Sequence, residues 1–276
     1  MKPPPFGYVR AESPEHAVAA LAEGGDDAKP IAGGQSLVPA LNMRLVRPSV
    51  LVDLNRAGLD HLDPDGGVVR VGATVRQVTL ERDPRTASLL PLVAAALPHV
   101  GHPVTRNRGT VGGSIAHADG GAELPLCLVA LGGAVVAAGP AGRRVIPAGE
   151  FFVTHYLTTL EPGEIVVETL WPVGTAGTPT AFAELALRAG DYAQCMVAVS
   201  GSTVCVGAVT DRPVVLEEVV RLIDGEDPGP ELAQEAGALA AGLVDPPGTI
   251  HATAGYLRQL TGVLVRRALE RAWTSS

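Results

Sequence analysis

Apolar residues along this chain fall into short blocks of two kinds, compact runs of strand length and Ala/Leu-rich stretches at helical spacing, with Gly or Pro at most junctions. Residues 6–9 read as extended. Ser13-Pro14 then caps an Ala-rich helix that stops at Gly24-Gly25, with serine at the cap and proline in the first turn. Residues 30–31 lead into a Gly-Gly loop, 37–45 keep helical spacing despite Pro39, and 50–54 form an apolar strand. Residues 68–72 read as another strand, and Thr74 is placed to cap a helix after it. Residues 91–100 and 123–131 read as helices, the second of them buried. Residues 134–138 and 143–146 flank a Gly/Pro turn as a hairpin. The Gly-, Thr- and Pro-rich text of 171–179 marks a boundary, which divides the chain into residues 1–176 and 177–276. Beyond it come two β-like runs, 180–187 and 196–209, and helices near 215–223, 230–243 and 254–273. In the last helix Leu257, Leu260, Leu264 and Leu269 share one stripe, and Arg258, Arg266 and Arg267 lie off it. The alternation predicts an α+β protein of two domains.

Charge narrows the partners. The 276 residues carry a net charge of −8, with scattered arginines and only 4% aromatics. A nucleic-acid partner would require a basic stripe or stacking platforms, and neither is present in the sequence. The start, Met1-Lys2-Pro3-Pro4-Pro5, lacks the apolar core of a signal peptide, and no run is long enough to span a membrane, so the expectation is a cytoplasmic protein. Cys127, Cys195 and Cys205 have none of the spacings of a zinc or iron–sulfur site and read as small buried residues. Redox chemistry here would therefore need an organic cofactor. His99, His102 and His117 cluster in sequence without metal-helix spacing, and structural or hydrogen-bonding roles are favoured for them. No catalytic proton-transfer residue and no metal ligand is assigned.

The densest local signal is a pair of loops, Ala32-Gly33-Gly34-Gln35-Ser36 and Thr110-Val111-Gly112-Gly113-Ser114. Adjacent glycines let backbone N–H groups approach a bulky anion, and Ser36, Thr110 and Ser114 add hydroxyls. Neither loop is a Rossmann fingerprint or a P-loop. Two such turns suggest convergence on one diphosphate, and on local pattern alone they read equally well as tight turns without a ligand.

Three segments decide between these readings. Residues 30–37 with 51–54, residues 106–119 with Glu123-Leu124-Pro125, and Arg188-Ala189-Gly190-Asp191-Tyr192-Ala193 together resemble the FAD-binding (medium) subunits of the molybdenum hydroxylases, the group of carbon monoxide dehydrogenase and xanthine dehydrogenase. The matches run in family order over nearly the whole chain. The resemblance implies a two-subdomain FAD-binding domain of the vanillyl-alcohol-oxidase (PCMH-like) type, followed by a small α+β C-terminal domain. It implies non-covalent FAD, held at the pyrophosphate and ribityl chain by Ile31, Ala32, Gly33, Gly34, Gln35, Ser36 and Leu37 with Thr110, Gly112, Gly113 and Ser114. Glu123 matches an acidic position at the adenosine end, with Asp119 beside it. Val100 and Val166 fall at apolar contacts, and Asp191 and Tyr192 fall near the isoalloxazine. The chain departs from the family pattern at Ser114, where many relatives have Asn, at Glu184, where they often have Lys, and at Gln35.

The function implied is an electron-transfer subunit. Molybdopterin and [2Fe–2S] clusters would sit on a large and a small partner subunit, in a dimer of heterotrimers. Electrons would leave through FAD to an acceptor such as NAD, oxygen or a quinone. Two other readings stay open at this point: a self-contained flavin oxidase with its own substrate pocket, and a scaffold subunit with a degenerate flavin site.

Overall fold

A computed structural model describes residues 2–175 and 177–274. Its first layer is built from β1 (Gly7–Arg10), α1 (Pro14–Gly24), β2 (Ala28–Ile31), α2 (Leu37–Asn42) and β3 (Val50–Asp53). The strands form a parallel sheet in the order β1-β3-β2. Ser13 accepts from the His16 N–H at the start of α1, and Gly25 ends the helix at φ 65°. Ala17, Ala20 and Leu21 bury its inner face on the core that also takes Val52. Helix α2 ends sooner than its spacing predicts. Arg44 turns left-handed at φ 59°, and the Leu45 N–H bonds back to Ala40 O at 2.9 Å.

The second layer contains β4 (Leu62–Asp65), β5 (Val68–Gly72), α3 (Gln77–Arg82), α4 (Pro84–Leu89), α5 (Pro91–Ala96), α6 (Pro103–Arg108), α7 (Val111–His117) and α8 (Glu123–Ala130). It continues through β6 (Ala134–Gly139), β7 (Gly142–Pro147), α9 (Ala148–Phe151), β8 (Phe152–Thr154), β9 (Leu157–Thr158) and β10 (Ile165–Pro172). Five of these strands make an antiparallel sheet, β4-β5-β10-β6-β7, and β8-β9 is a separate hairpin. The predicted 134–146 hairpin is β6-β7. Thr74 is not a helix cap: its N–H bonds to Leu59 O at 2.8 Å, and α3 begins only at Gln77 behind Arg76. Pro98 ends α5 as an α-helix, because it has no N–H to donate, and residues 97–99 close as a 3₁₀ turn. Every residue of α8 is buried, as its unbroken apolar run requires. Trp171 and Pro172, placed by their composition in a boundary, belong to the central strand β10. The Trp171 indole is fully buried there and donates to Thr169 Oγ1 at 2.7 Å.

The third layer is the sheet β11 (Thr180–Ala186), β12 (Ala193–Ser200), β13 (Thr203–Gly207) and β14 (Val214–Val215), covered by α10 (Glu217–Ile223), α11 (Pro230–Leu243) and α12 (Ala254–Thr274). The single run expected over 196–209 is two strands joined at Gly201, which sits at φ 60°. Strand alternation gives this sheet two buried faces. Ala183, Cys195, Val197, Val199, Val204 and Val206 pack under the helices, together with the predicted leucine stripe of α12. Phe182, Met196, Ala198 and Cys205 belong to the core of the preceding layers. Ala176, beside the boundary read between 176 and 177, lies outside the described residues.

Candidate flavin site

The two glycine loops meet. A Cβ built on Gly33 would lie 2.4 Å from Arg108 O and 2.9 Å from Gly109 Cα, so only glycine lets the first loop touch the backbone that enters the second. Side chains span the same gap. Arg76 donates to Arg108 O at 2.5 Å and to Asn55 Oδ1 at 2.6 Å, and Asn55 Nδ2 donates to Ala32 O at 3.0 Å. Asp53 closes the brace by accepting from the Asn55 N–H and the Tyr8 hydroxyl. Desolvation raises the Asp53 carboxyl, but the bonds from Tyr8 and Asn55 outweigh it and hold the group below the usual carboxylate range.

The loops differ in what they can offer a ligand. In the second, Val111 N–H bonds to Val75 O at 2.9 Å and Gly112 N–H to Ala73 O at 3.1 Å. Gly113 N–H bonds to Thr110 Oγ1 at 3.1 Å, the N-cap of α7, and Ser114 N–H bonds to Thr110 O at 3.1 Å. Gly112 is needed for packing, since a Cβ there would stand 2.5 Å from Ala73 Cα. What this loop leaves partly exposed is Gly113 and Ser114, with Gly112 buried, and not the donor nest its sequence suggests. In the first loop the N–H groups of residues 32–37 have no acceptor among the described residues. Gly34 turns there at φ 71°, and Gln35 Nε2 folds back on Gly33 O at 3.1 Å. A row of free N–H groups on a turn that leads into a helix matches the donor set of a diphosphate, and the residues present therefore fit FAD.

A second cluster gathers below the loops. Glu123 opens α8, is 6% exposed and has no hydrogen-bonding side-chain partner among the described residues. Burial, with Glu184 and Asp119 nearby, pushes its carboxyl up to about 8. Such a group readily meets a ligand hydroxyl or amine. Glu184 lies on the sheet face shared by Phe182 and Met196, with a side chain 4% exposed. Its Oε2 is unpartnered, its Oε1 is 3.8 Å from His99 Nδ1, and burial pushes it up to about 7. Burial, and then Arg271, lower the His99 imidazole.

The turn 118–121 carries concentrated strain. Of the four non-glycine residues with positive φ among those described, Ala118 (51°), Tyr156 (60°) and Ala208 (65°) meet here. Tyr156 N–H bonds to Ala118 O at 2.8 Å, and Ala208 N–H bonds to Gly120 O at 2.8 Å. A left-handed side-chain-bearing residue costs roughly 1–2 kcal/mol, and such residues cluster at working sites. Asp119 accepts from Gly121 N–H at 2.9 Å and from the Tyr156 hydroxyl at 3.1 Å. Tyr192 keeps 65% of its surface open, yet desolvation of its phenol, with Asp119 and Tyr156 beside it, pushes the hydroxyl up to about 12.

The other candidate residues are placed as follows. Gly190 packs on His102, where a Cβ would come within 2.5 Å of the ring, so the 188–193 segment lies against the stretch before the second loop. Asp191 is exposed in a turn closed on Arg188 O at 3.1 Å. Val100 is buried beside that stretch and its carbonyl accepts from Arg106. Val166 is buried in β10 at a β-bulge. His117 is half-buried with its ring 4.9 Å from that of Tyr156, and burial lowers its imidazole. No group of residues suited to a metal ion occurs among the described residues. Asn55, Arg76 and Tyr156 escaped the sequence reading. For Asn55 the Asp-Leu-Asn ending of the 50–54 strand is a faint Asx-turn signal, and the other two have none.

Comparison with known proteins agrees with this geometry. The family model described as the FAD binding domain in molybdopterin dehydrogenase matches residues 4–173, and the CO dehydrogenase flavoprotein C-terminal domain matches residues 180–272. The 6-hydroxypseudooxynicotine dehydrogenase complex subunit alpha of Paenarthrobacter nicotinovorans is 41% identical over 99% of this chain and 96% of that protein. The carbon monoxide dehydrogenase medium chain of Hydrogenophaga pseudoflava is 36% identical over 99% of both. The crystal structure of quinoline 2-oxidoreductase from Pseudomonas putida 86 superposes with a TM-score of 0.94 at 36% identity, covering 100% of this chain and 99% of that one. The chain belongs to this family: it is the FAD-binding medium subunit of a molybdenum hydroxylase-type oxidoreductase.

Proposed function

We propose that this flavoprotein subunit relays electrons, taking them from [2Fe–2S] clusters on a small partner subunit and passing them through FAD to an external acceptor such as NAD, oxygen or a quinone. A large partner would carry the molybdopterin and choose the substrate, in a dimer of heterotrimers. FAD supplies the electron chemistry when bound, because its ring accepts and releases electrons singly or in pairs. The chain's task is to hold and orient it.

The observation that carries this reading is the closed pair of loops with free N–H groups along residues 32–37. These donors would take the diphosphate, with Ile31 and Leu37 as the ends of the cradle. Thr110, Gly112, Gly113 and Ser114 would form its opposite wall. Glu123 would accept from a hydroxyl or amine of the cofactor, and Asp119, Asp191 and Tyr192 would stand at the ring end. Val100 and Val166 would back the cofactor with apolar surface. In this reading residues 1–176 form the FAD-binding domain and 177–276 close it from the other side through the Phe182–Met196 face of the sheet. Three ungrouped, fully buried cysteines offer no cluster ligands, in keeping with clusters on another polypeptide. Their burial also disfavours a covalent flavin link, since it pushes the Cys195 thiol up to about 11 and Cys205 higher still.

The test is the visible spectrum of the purified chain after FAD loading and gel filtration, followed by co-expression with candidate cluster and molybdenum subunits. Retained flavin, reduced only when the partners and their substrate are present, is the expected result. Retained flavin reduced by a small substrate without partners would make the chain a free-standing oxidase. A chain that takes up no FAD, alone or in the assembled complex, would mark a degenerate site.

A further inference from the structure

Tyr156 is exposed and strained, yet it is tied at both ends. It lies between β8 and β9 at φ 60°, and its N–H and its hydroxyl grip successive residues of one turn, Ala118 O at 2.8 Å and Asp119 Oδ2 at 3.1 Å. The rings of His117 and His155 flank its own at 4.9 and 6.0 Å, which fixes the direction of the phenol. The turn it grips is also held from the C-terminal domain by Ala208 N–H on Gly120 O. The Asp119 carboxyl so fixed accepts from the Gly121 N–H at 2.9 Å, and Gly121 is where the Tyr192 ring packs: a Cβ there would stand 3.5 Å from both Asp119 Oδ1 and Tyr192 Cδ1. Tyr192 sits in a segment with little support of its own: residues 187–189, 191 and 192 are exposed, and a single backbone bond, Asp191 to Arg188, closes the turn. A residue held in a rare conformation to point at a carboxylate that in turn fixes the glycine beneath an exposed ring has the form of a positioning device.

We propose that Tyr156 is a positioning residue of the flavin site: it fixes Asp119 and, through Asp119, sets the Tyr192 ring against the ring end of the cofactor. This rests on the functional reading above. No covalent or redox step is asked of Tyr156. Its hydroxyl donates to a carboxylate, and that carboxylate holds the Gly121 N–H beside which the Tyr192 ring packs. Deleting the hydroxyl loosens Asp119 and Gly121 under that ring and lets Tyr192 move.

Tyr156→Phe in the full chain tests this, because it keeps the ring packing and removes only the donor. In the FAD-free chain, amide hydrogen exchange across residues 188–192 should accelerate about tenfold, the scale of one hydrogen bond to a charged group. In the FAD-loaded chain, flavin fluorescence should rise several-fold, since a tyrosine ring held on a flavin quenches its emission, and Tyr192→Phe should reproduce the rise. A change in melting temperature without either effect would overturn the proposal, as would unchanged exchange and fluorescence. If the wild-type chain retains FAD neither alone nor in the assembled complex, the functional reading fails, and the exchange measurement alone still decides whether Tyr156 holds the 188–192 segment.

Discussion

Gly33→Ala puts the loop contact to the strictest test. The new Cβ would meet Arg108 O at 2.4 Å, Arg108 C at 3.1 Å and Gly109 Cα at 2.9 Å, all backbone atoms that cannot rotate aside. Ordinary contact begins near 3.4 Å, so the loops must part by about 1 Å (3.4 − 2.4). The bond from Arg76, which belongs to the second-loop side, to Asn55 Oδ1 on the first-loop side crosses the same gap at 2.6 Å. An extra 1 Å takes it out of hydrogen-bond range. Overpacking of this kind costs about 1–3 kcal/mol, and a lost hydrogen bond adds about 1 kcal/mol. The larger effect falls on the cofactor. Losing one charge-assisted bond to the diphosphate is worth roughly 1.5–3 kcal/mol, which weakens FAD binding about 10- to 100-fold. Titration of the FAD-free chain with FAD, followed by flavin fluorescence, reads the affinity, and a thermal melt reads the fold. Gly149→Ala is the control, because nothing lies within 4 Å of its Cβ. If the Gly33 variant binds FAD within twofold of wild type, the loops do not form the cradle and the reasoning fails.

Two further outcomes follow from the same geometry. Arg76→Lys keeps the charge but cannot reach Arg108 O and Asn55 Oδ1 together, so FAD affinity should fall about tenfold with a shift of only a few degrees in melting temperature. Equal affinity would show that the brace is dispensable. Glu123 and Glu184 titrate near 8 and 7 when folded, against 4.5 for a free glutamate, so the folded chain holds protons that the unfolded chain has released. The stability they permit is full below pH 4.5 and is lost as pH rises through 7 and 8, with each group removing at most about 1.4 kcal/mol for every pH unit climbed. Melts of the FAD-free chain from pH 5 to 9 should show this fall, and Glu123→Gln with Glu184→Gln should flatten it. A fall of equal steepness in the double variant would place its cause elsewhere.

The sequence revealed the site's ligand-facing half and hid the half that supports it. Adjacent glycines are rare enough to mark both loops, and the burial of α8 follows from its apolar run. The brace was hidden because Arg76 and Asn55 work across 32 and 23 residues of chain, a separation that no local pattern encodes. Thr74 misled for a related reason: a threonine after a strand looks like a cap, and only the approach of Leu59 shows where its N–H goes. Strand β4 was missed because Leu-Asp-Pro-Asp is an exposed edge without apolar alternation. Glu184 is legible as a departure from the family, but its burial depends on which face of β11 meets the flavin domain, a consequence of register. Tyr156 is strained by tertiary contacts alone.

An acidic chain that binds a dianion faces repulsion from its own net charge of −8, and the loops show how it is met. The second loop uses its N–H groups on Val75, Ala73 and Thr110 and so becomes a rigid wall, while the first, pressed against that wall, keeps the donors of residues 32–37 free. Recognition by fixed backbone dipoles differs from recognition by mobile surface cations in its response to salt. Exposed charges are screened over about 10 Å at 0.1 M ionic strength, whereas a short N–H bond in a closed cradle is hardly affected. Between about 50 and 500 mM salt the FAD affinity should therefore hold steady or tighten slightly, as screening relieves the long-range repulsion. The exposed arginines that follow or precede the loops in sequence, Arg44, Arg47 and Arg108, offer the other mechanism. If they attracted the diphosphate, affinity would fall steeply with salt, and neutralising Arg108 would weaken binding more than Gly33→Ala does. That result would move the recognition from the backbone of the first loop to the protein surface.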